Sequence, residues 1–453
     1  MKKVAFHTLG CKLNFAETSA IGRLFTEAGF VSVTLAQRPH VFVLNTCSVT
    51  ENADHKCAKI VREALKMAPE AFVIVIGCYA QLKPEAIAAI PGVDAIFGTH
   101  EKFKLLDWIT DWHKKKSDEL ATIQVTSIKE KLTFSPSYSI GDRTRTFLKV
   151  QDGCSYACSF CTIPLARGPS RSATIAEVVA QARTIAHKKV KEIVLTGVNL
   201  GDFGMVDNKR QTSFFELIQA LDKVEGIERF RISSIEPNLL RGEIIDFVAK
   251  SKRFVPHFHI PLQSGSDKIL KLMRRRYLTA LYQERVAQIK EQMPSCCIGV
   301  DVLVGFPGET EADFLETYHF LNELAIAYIH VFPYSERDHT KAASMPDVVP
   351  QKERVRRARM LRILSEKKLT YFYNQHLGQT ATVLFEYGTD DKVMEGFTEN
   401  YIRVQLPYQQ RLTNKLCKVL LKEINPEGVV VPALLQPVQP TSTEVDYLKK
   451  KTH

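Results

Sequence analysis

Residues 151–168 read QDGCSYACSFCTIPLARG. Three of the chain's ten cysteines, Cys154, Cys158 and Cys161, stand within eight residues, and the next cysteines in the chain are the adjacent pair Cys296 and Cys297. In a long chain whose opening MKKVAFHTLGCKLN reads as a first strand and not a signal peptide, a disulfide scaffold is disfavoured and metal or redox use of the thiols is expected. Structural zinc takes four side-chain ligands in short Cys-x-x-Cys pairs, and four-cysteine iron–sulfur sites also want one more ligand. Three thiolates leave one metal position open, so the spacing suggests a site where a substrate or cofactor meets the metal directly. A zinc site, or a disulfide with one free thiol, is the alternative.

Outward from this stretch the chain reads as an α/β protein of several domains. Residues 1–116 alternate short apolar runs, KVAFHTLG, HVFVLNT, AFVIVIG and DAIFG, with helical patterns, which predicts a parallel sheet. The stretch KFKLLDWITDWHKKK, 102–116, reads as the helix that closes this block, and 117–140 as a linker with a stray strand at ATIQVTS. From 141 to 370 six strands alternate with helices, RTFLKV, EIVLTG, RFRISS, HFHIPL, CIGVDVLVGF and YIHVFPY, which predicts a partial (β/α)6 barrel ending in a long basic helix over 350–377. Residues 371–436 turn to short strands with turn signals, a small all-β barrel, and 437–453 form a Pro-, Thr- and Lys-rich tail expected to be disordered.

A second set of cysteines shares one design. Cys11, Cys47 and Cys78 each follow the end of an apolar strand, in AFHTLGCKLN, VFVLNTCSVT and VIVIGCYAQ. The C-terminal ends of parallel strands lie together, so these thiols are expected to converge at one sheet edge. Cys57, within a helical pattern, is expected to pack. Polar and glycine-rich loops follow the later barrel strands at Thr196 and Asn199, Ser234 and Glu236, Gln263 and Ser264, and Gly305 to Thr310, where barrel ligands bind. No catalytic acid or base stands out.

Lys plus Arg number 61 against 50 Asp plus Glu, a net charge of +11, and residues 341–376 hold nine basic and three acidic residues, over half of that surplus. Such clustering suggests a polyanionic partner. No apolar run approaches the roughly 20 residues that cross a bilayer, so no membrane is expected and the cytoplasm is the expected compartment.

The triplet at 154–161 resembles the Cys-x-x-x-Cys-x-aromatic-Cys signature of the radical S-adenosylmethionine (SAM) enzymes, with Phe160 as the aromatic. The resemblance implies a 4Fe–4S cluster whose open iron takes SAM, and one-electron cleavage of SAM to a 5′-deoxyadenosyl radical. It also implies that Phe160, Thr196, Asn199, Ser234, Glu236, Gln263, Ser264, Gly305 and Pro307 surround SAM and substrate. The whole order of parts, with GCKLN, NTCSVT, GCYAQ, CTIPLARG, LTGVNLGDFG, PLQSGSDKIL and VGFPGET, is similar to the methylthiotransferases, whose C-terminal barrel is called TRAM. That likeness implies two 4Fe–4S clusters, on Cys11, Cys47 and Cys78 and on Cys154, Cys158 and Cys161. It also implies use of two SAM molecules and methylthio insertion at an unactivated C–H bond.

LGCKLNFAET looks like the branch that acts on N6-threonylcarbamoyladenosine at position 37 of tRNA. The other branches act on N6-isopentenyladenosine in tRNA and on an aspartate of a ribosomal protein. The implied partners are the anticodon stem-loop of tRNA and an electron donor such as flavodoxin or ferredoxin, with the chain a monomer. For RNA contact, Arg274, Arg275 and Tyr277 in KLMRRRY and Arg356 and Arg359 on the basic helix are the candidates, with Phe397 and Tyr401 for base stacking. A non-catalytic iron–sulfur RNA-binding regulator is the rival from another class.

Overall fold

The computed structural model describes residues 1–47, 51–109, 112–116, 119–128, 133–141, 144–206, 209–386 and 392–435, and the backbone alone at 51–55. The expected tail at 437–453 lies outside the described residues.

The N-terminal block is a six-stranded parallel sheet in the order β2-β1-β3-β4-β5-β6. Its strands are β1 (Lys3–Thr8), β2 (Val31–Ser32), β3 (Val41–Thr46), β4 (Phe72–Gly77), β5 (Ala95–Phe97) and β6 (Thr122–Gln124). Every residue of the central strands VFVLNT and FVIVIG is buried. Helices covering both faces of a parallel sheet require such unbroken apolar runs. Alternate residues serve opposite faces: Val41, Val43, Ile74 and Ile76 pack on Ile21 and Phe25 of helix α1 (Lys12–Glu27), while Phe42, Leu44, Val73 and Val75 pack on Cys57, Val61 and Ala64 of the helix Glu51–Met67. Cys57 is thus a core residue, as expected.

Two local expectations give way to tertiary contacts. The stray strand in the expected linker is the sixth strand of this sheet, pairing with β5 and satisfying its open edge. The expected helix at 102–116 is reduced to a turn, Glu101–Phe103, and a short helix, Leu105–Trp108. Trp112 packs edge-on against Phe25, Phe30 and Phe72 at 5.4–5.8 Å, and Lys114 Nζ lies 2.6 Å from Asp94 Oδ2. These contacts hold residues 112–116 outside helical geometry.

The second block is an open barrel. An edge strand, β7 (Ser137–Tyr138), runs antiparallel to β8 (Thr146–Lys149), which pairs in parallel with β9 (Glu192–Thr196) and then β10 (Arg229–Ile232). The parallel set β11 (His257–His259), β12 (Cys297–Val304) and β13 (Tyr328–Pro333) completes it, with single bridges from Phe230 to Phe254 and Ser234 to His259 joining the halves. These are the six strands expected. Ile193, Leu195, Phe230, Ile232, Phe258, Val300 and Val302 point outward into one core with the surrounding helices. Their strand neighbours, Lys149, Glu192, Arg231, His259 and Asp301 among them, therefore face the lumen. No helix among the described residues is long and apolar enough to cross a membrane.

Helix α1 serves both blocks. Its Ala16 packs with Phe147 and Val194 on the inner face of β8 and β9, and Phe15 meets Phe147 edge-on at 6.5 Å. The residues immediately after Cys11 thereby close one side of the lumen.

The long helix Gln351–Asn374 leads into a closed five-stranded barrel. Its strands are β14 (Thr380–Phe385), β15 (Val393–Thr398), β16 (Arg403–Pro407), β17 (Leu416–Ile424) and β18 (Val430–Leu434). The turn between β15 and β16 caps the N-terminal ends of the large barrel's strands. Tyr401 lies 4.4 Å from the His257 ring and stacks on Phe397 at 4.8 Å, beneath the guanidinium of Arg231 at 4.9 Å; Arg145 lies 4.3 Å over Phe397. Arg231 also donates to the carbonyls of Thr398 and Glu399, and Arg229 to that of Thr382. Phe397 and Tyr401, expected as base-stacking residues, are instead the joint between two barrels: an aromatic pair over arginines suits an internal seam as well as RNA. Tyr401→Ala is expected to destabilise the protein by about 2–3 kcal/mol in urea unfolding, from lost packing, and to leave RNA affinity within about twofold. RNA binding lost at unchanged stability would return Tyr401 to the RNA surface.

Candidate functional site

The first three cysteines are brought to one edge by glycine and asparagine. Gly10 has φ +101°, and a Cβ there would stand 2.5 Å from Cys47 Cβ and 2.9 Å from its Sγ. Gly77, before Cys78, has φ +103°, and a Cβ would stand 2.5 Å from the Thr46 carbonyl. Both positions exclude a side chain, so the strand ends can crowd together. Asn14 Nδ2 donates to the carbonyls of Leu9, at 2.8 Å, and Thr46, at 3.0 Å. Asn45 Nδ2 donates to the Asn14 carbonyl, and Thr46 Oγ1 to the Ile76 carbonyl. The loops carrying Cys11, Cys47 and Cys78 are thus laced to one another.

Behind them lies a buried ion network. Glu17, on α1, accepts from Lys102 Nζ at 2.6 Å, Lys149 Nζ at 3.0 Å and Arg167 Nη1 at 3.0 Å. Asp152 accepts from Arg167 at 2.9 Å, Arg171 at 2.9 Å and Lys149 at 3.3 Å. Arg167 Nη2 donates in addition to Asn14 Oδ1 at 2.8 Å, and so ties the second triplet's helix, Ile163–Arg167, to the first triplet's loops. Four cations face two carboxylates, an excess of two positive charges in a largely buried site. Burial opposes ionisation of Glu17, but Arg167, Lys102 and Lys149 overcome it and hold the carboxyl far below its usual range. Lys102 is pushed the other way: burial, with Arg167 and Lys149 repelling it, outweighs its bond to Glu17. The carboxylate is the better compensated partner, since three cations share it. The uncompensated charge falls next to Cys78, whose thiol burial pushes up while Arg167 and Lys102 pull down. A site with buried excess positive charge suits an anionic thiolate–metal group.

The second triplet lies at the C-terminal end of β8. The backbone N–H of Tyr156 points to Cys154 Sγ and that of Ile163 to Cys161 Sγ, each at 3.4 Å. Burial pushes the Cys154 and Cys161 thiols up to about 12, so loading a metal group would release their protons. Arg275 Nη1 donates to Cys158 Sγ at 3.0 Å, its other nitrogens reaching Glu236 and the Tyr277 hydroxyl. None of the ten cysteines is in a disulfide. The donor set at the second triplet, three thiols among N–H donors and a guanidinium, fits a three-cysteine iron–sulfur cluster, and the first triplet offers three thiols at adjoining strand ends beside Arg167 and Lys102.

Other expected residues divide. Arg275 and Tyr277 are not RNA contacts: Arg275 is buried against Cys158, and the Tyr277 hydroxyl donates to the carbonyls of Pro261 and Leu262, with the side chain 5% exposed. Arg274 is exposed with φ +57°. Arg359 is exposed, and Arg356 is paired with Glu311 and Glu353. Arg354 and Arg357 of the same helix are buried structural anchors on Glu336 and Glu309. Glu236 faces the lumen end beside Arg275, and burial raises its carboxyl. Asn199 accepts from the Glu236 N–H, and its own N–H and that of Val198 bond Gln151. Thr196 bonds its own strand, Ser234 bridges to His259, and Gln263 stands at φ +70°. Ser264 is fully buried against Thr317, Phe160 packs on Phe306, and Gly305, before Pro307, donates to Glu309. These three hold loops, while the lumen-facing groups remain available to a ligand. Sequence reasoning missed Glu17, Lys102, Lys149, Asp152 and Arg167; the one signal was a charge inside each apolar cysteine motif, Glu17 in LGCKLNFAET and Arg167 in CTIPLARG.

Residues 148–321 match the Radical SAM superfamily, and residues 3–98 match "Uncharacterized protein family UPF0004". The chain is 39% identical over 426 residues to the threonylcarbamoyladenosine tRNA methylthiotransferase MtaB of Bacillus subtilis, covering 92% of this chain and 93% of that one. It is 30% identical to the tRNA-2-methylthio-N(6)-dimethylallyladenosine synthase of Acetivibrio thermocellus, covering 95% and 91%. Among solved structures, the radical SAM methyltransferase TsrM of Kitasatospora setae superposes with a TM-score of 0.55 at 13% identity, over 76% of this chain and 75% of that one, a likeness of fold.

Glu17→Gln is expected to cost about 3–5 kcal/mol at neutral pH, because it strands buried cations. The native carboxyl is held low, so its stabilisation is present above about pH 4.3 and is lost as pH falls toward the native pKa. The gap between wild type and variant in urea unfolding therefore narrows below about pH 4.

Proposed function

We propose that this chain, which belongs to the radical SAM methylthiotransferases, inserts a methylthio group at C2 of N6-threonylcarbamoyladenosine at position 37, in the anticodon loop of tRNA. The observation that carries this reading is the pairing of two three-cysteine sites through one arginine, Arg167, at the mouth of a lumen. The likeness to the tRNA methylthiotransferase of Bacillus subtilis over almost the whole chain supports the substrate class. Cys154, Cys158 and Cys161 would hold one 4Fe–4S cluster, and Cys11, Cys47 and Cys78 a second. With clusters and SAM bound, such a site supplies one-electron cleavage of SAM and the sulfur that is inserted.

The chain's own residues do the rest. Arg275 places positive charge on Cys158 Sγ, and Arg167 with Lys102 does so beside Cys78. Helix α1 and the aromatic joint at Tyr401 close the lumen on two sides and keep water from a reactive base. An anticodon-loop adenine is single-stranded, so turning it into the lumen costs little. Exposed Arg274, Arg276 and Arg359 meet phosphates, which makes affinity fall with salt. The five-stranded barrel acts as the TRAM domain, and the chain works as a cytoplasmic monomer reduced by a flavodoxin or ferredoxin.

Cys158→Ala is expected to abolish 5′-deoxyadenosine formation in the anaerobic enzyme, whereas Cys47→Ala retains part of it and forms no methylthio product. Full product from the Cys47 variant would remove the first triplet from the reaction. Nucleoside mass spectrometry of a deletion strain should lose the methylthio form of N6-threonylcarbamoyladenosine; loss of the isopentenyl derivative would reassign the branch. Arg275→Met should lower the potential of the Cys158 cluster by about 60 mV, a tenfold change in a one-electron equilibrium, because a cationic donor to a thiolate favours the reduced state. A redox titration followed by electron paramagnetic resonance (EPR) reads this directly.

A further inference from the structure

Strand alternation sends one more group of chemically active side chains into the lumen, apart from both cysteine sites. On β11, Phe258 packs outward and His259 inward; on β12, Val300 and Val302 pack outward and Asp301 inward; on β13, Ile329 packs outward and His330 inward. His259 Nε2 stands 2.9 Å from Asp301 Oδ2, and His330 Nδ1 stands 3.3 Å from Asp301 Oδ1. One ligand atom from each of the three residues lies within 4.8 Å of the other two.

Two physical arguments bear on this group. Metal–nitrogen and metal–oxygen bonds of about 2.0–2.2 Å place adjacent ligand atoms about 3–3.6 Å apart, according to coordination number. The two carboxylate–imidazole separations, one to each Asp301 oxygen, are of that size, and small rotations of His330, whose side chain is 55% exposed, bring the three ligand atoms, already within 4.8 Å, around one ion. The other argument is charge. Asp301 is a largely enclosed carboxylate whose ion-pair partners among the described residues are these two imidazoles. A carboxylate out of water needs positive charge beside it; an imidazole brings that only by taking up a proton, whereas a dication held by all three groups brings it without one.

We propose that His259, Asp301 and His330 form a binding site for one divalent first-row transition metal ion in the barrel lumen. Two imidazole nitrogens and a carboxylate suit zinc, iron(II), cobalt or manganese and are poor partners for calcium or magnesium. Three protein ligands leave coordination positions that open to the lumen beside exposed His330. The site stands independently of which nucleoside the enzyme modifies.

The test uses the full-length, anaerobically prepared protein with its iron–sulfur clusters loaded, dialysed to equilibrium against zinc. Iron and sulfide are measured in the same samples, so that zinc in place of a cluster is recognised. Wild type should bind about one equivalent of zinc, and both His330→Ala and Asp301→Asn should bind it about tenfold or more weakly with iron and sulfide unchanged. His330 is exposed, so His330→Ala folds and decides the matter alone if Asp301→Asn loses its iron. No zinc bound by wild type, or zinc bound by His330→Ala as tightly as by wild type, overturns the proposal.

Discussion

The Glu17 carboxylate, fully buried and shared by Lys102, Lys149 and Arg167, is the contact on which the architecture turns. It joins a helix of the first sheet to the first strand of the barrel and to the helix that follows Cys161. Burying so many charges is expensive, and replacing such a network with apolar groups is often neutral or better for stability. Its retention here is explained by what lies beside it. The positive excess falls next to Cys78, whose thiol Arg167 and Lys102 pull toward the anion, and Arg167 bonds Asn14, which laces the loops of Cys11 and Cys47. One set of ions thus fixes where the two cysteine sites stand relative to each other and tunes one of them.

The same economy appears at the other end of the barrel. Arg145, Arg229 and Arg231 would leave the lumen floor strongly positive, but Glu386, Glu399 and Glu192 pair with them and the Phe397–Tyr401 rings cover Arg145 and Arg231. The small barrel is therefore docked by its turn through aromatic faces and carbonyls, and its seam with the large barrel is not a free RNA surface. Between floor and mouth runs a lumen lined by His259, Asp301, His330 and Glu236, with α1 along one wall. A base that enters it meets polar side chains on the strands and the cysteine sites above them.

Much of this was legible because it is local. The six barrel strands and the central strands of the sheet are apolar runs of standard length, and the 154–161 spacing is contained in two turns of chain. Convergence of Cys11, Cys47 and Cys78 followed from topology, since parallel strands end on one side. What escaped was set by partners far along the chain. Glu17 and Arg167 are 150 residues apart, and no spacing rule pairs them. Arg274, Arg275 and Arg276 look alike in sequence, yet the middle one turns inward to Cys158 while its neighbours stay in water. Residues 102–116 carry a helical pattern that Trp112 and Asp94 override, and Thr122–Gln124 is too short for periodicity to place in a sheet.

The central claim is that each triplet holds its own paramagnetic centre and that the arginine network keeps the two close. EPR spectroscopy of the fully reduced, oxygen-free enzyme tests it most directly. If two centres stand near each other, the wild-type spectrum is broadened by magnetic coupling and cannot be rebuilt by adding the spectra of variants lacking one triplet or the other. A wild-type spectrum equal to that sum, or to the spectrum of a single variant, would contradict the account.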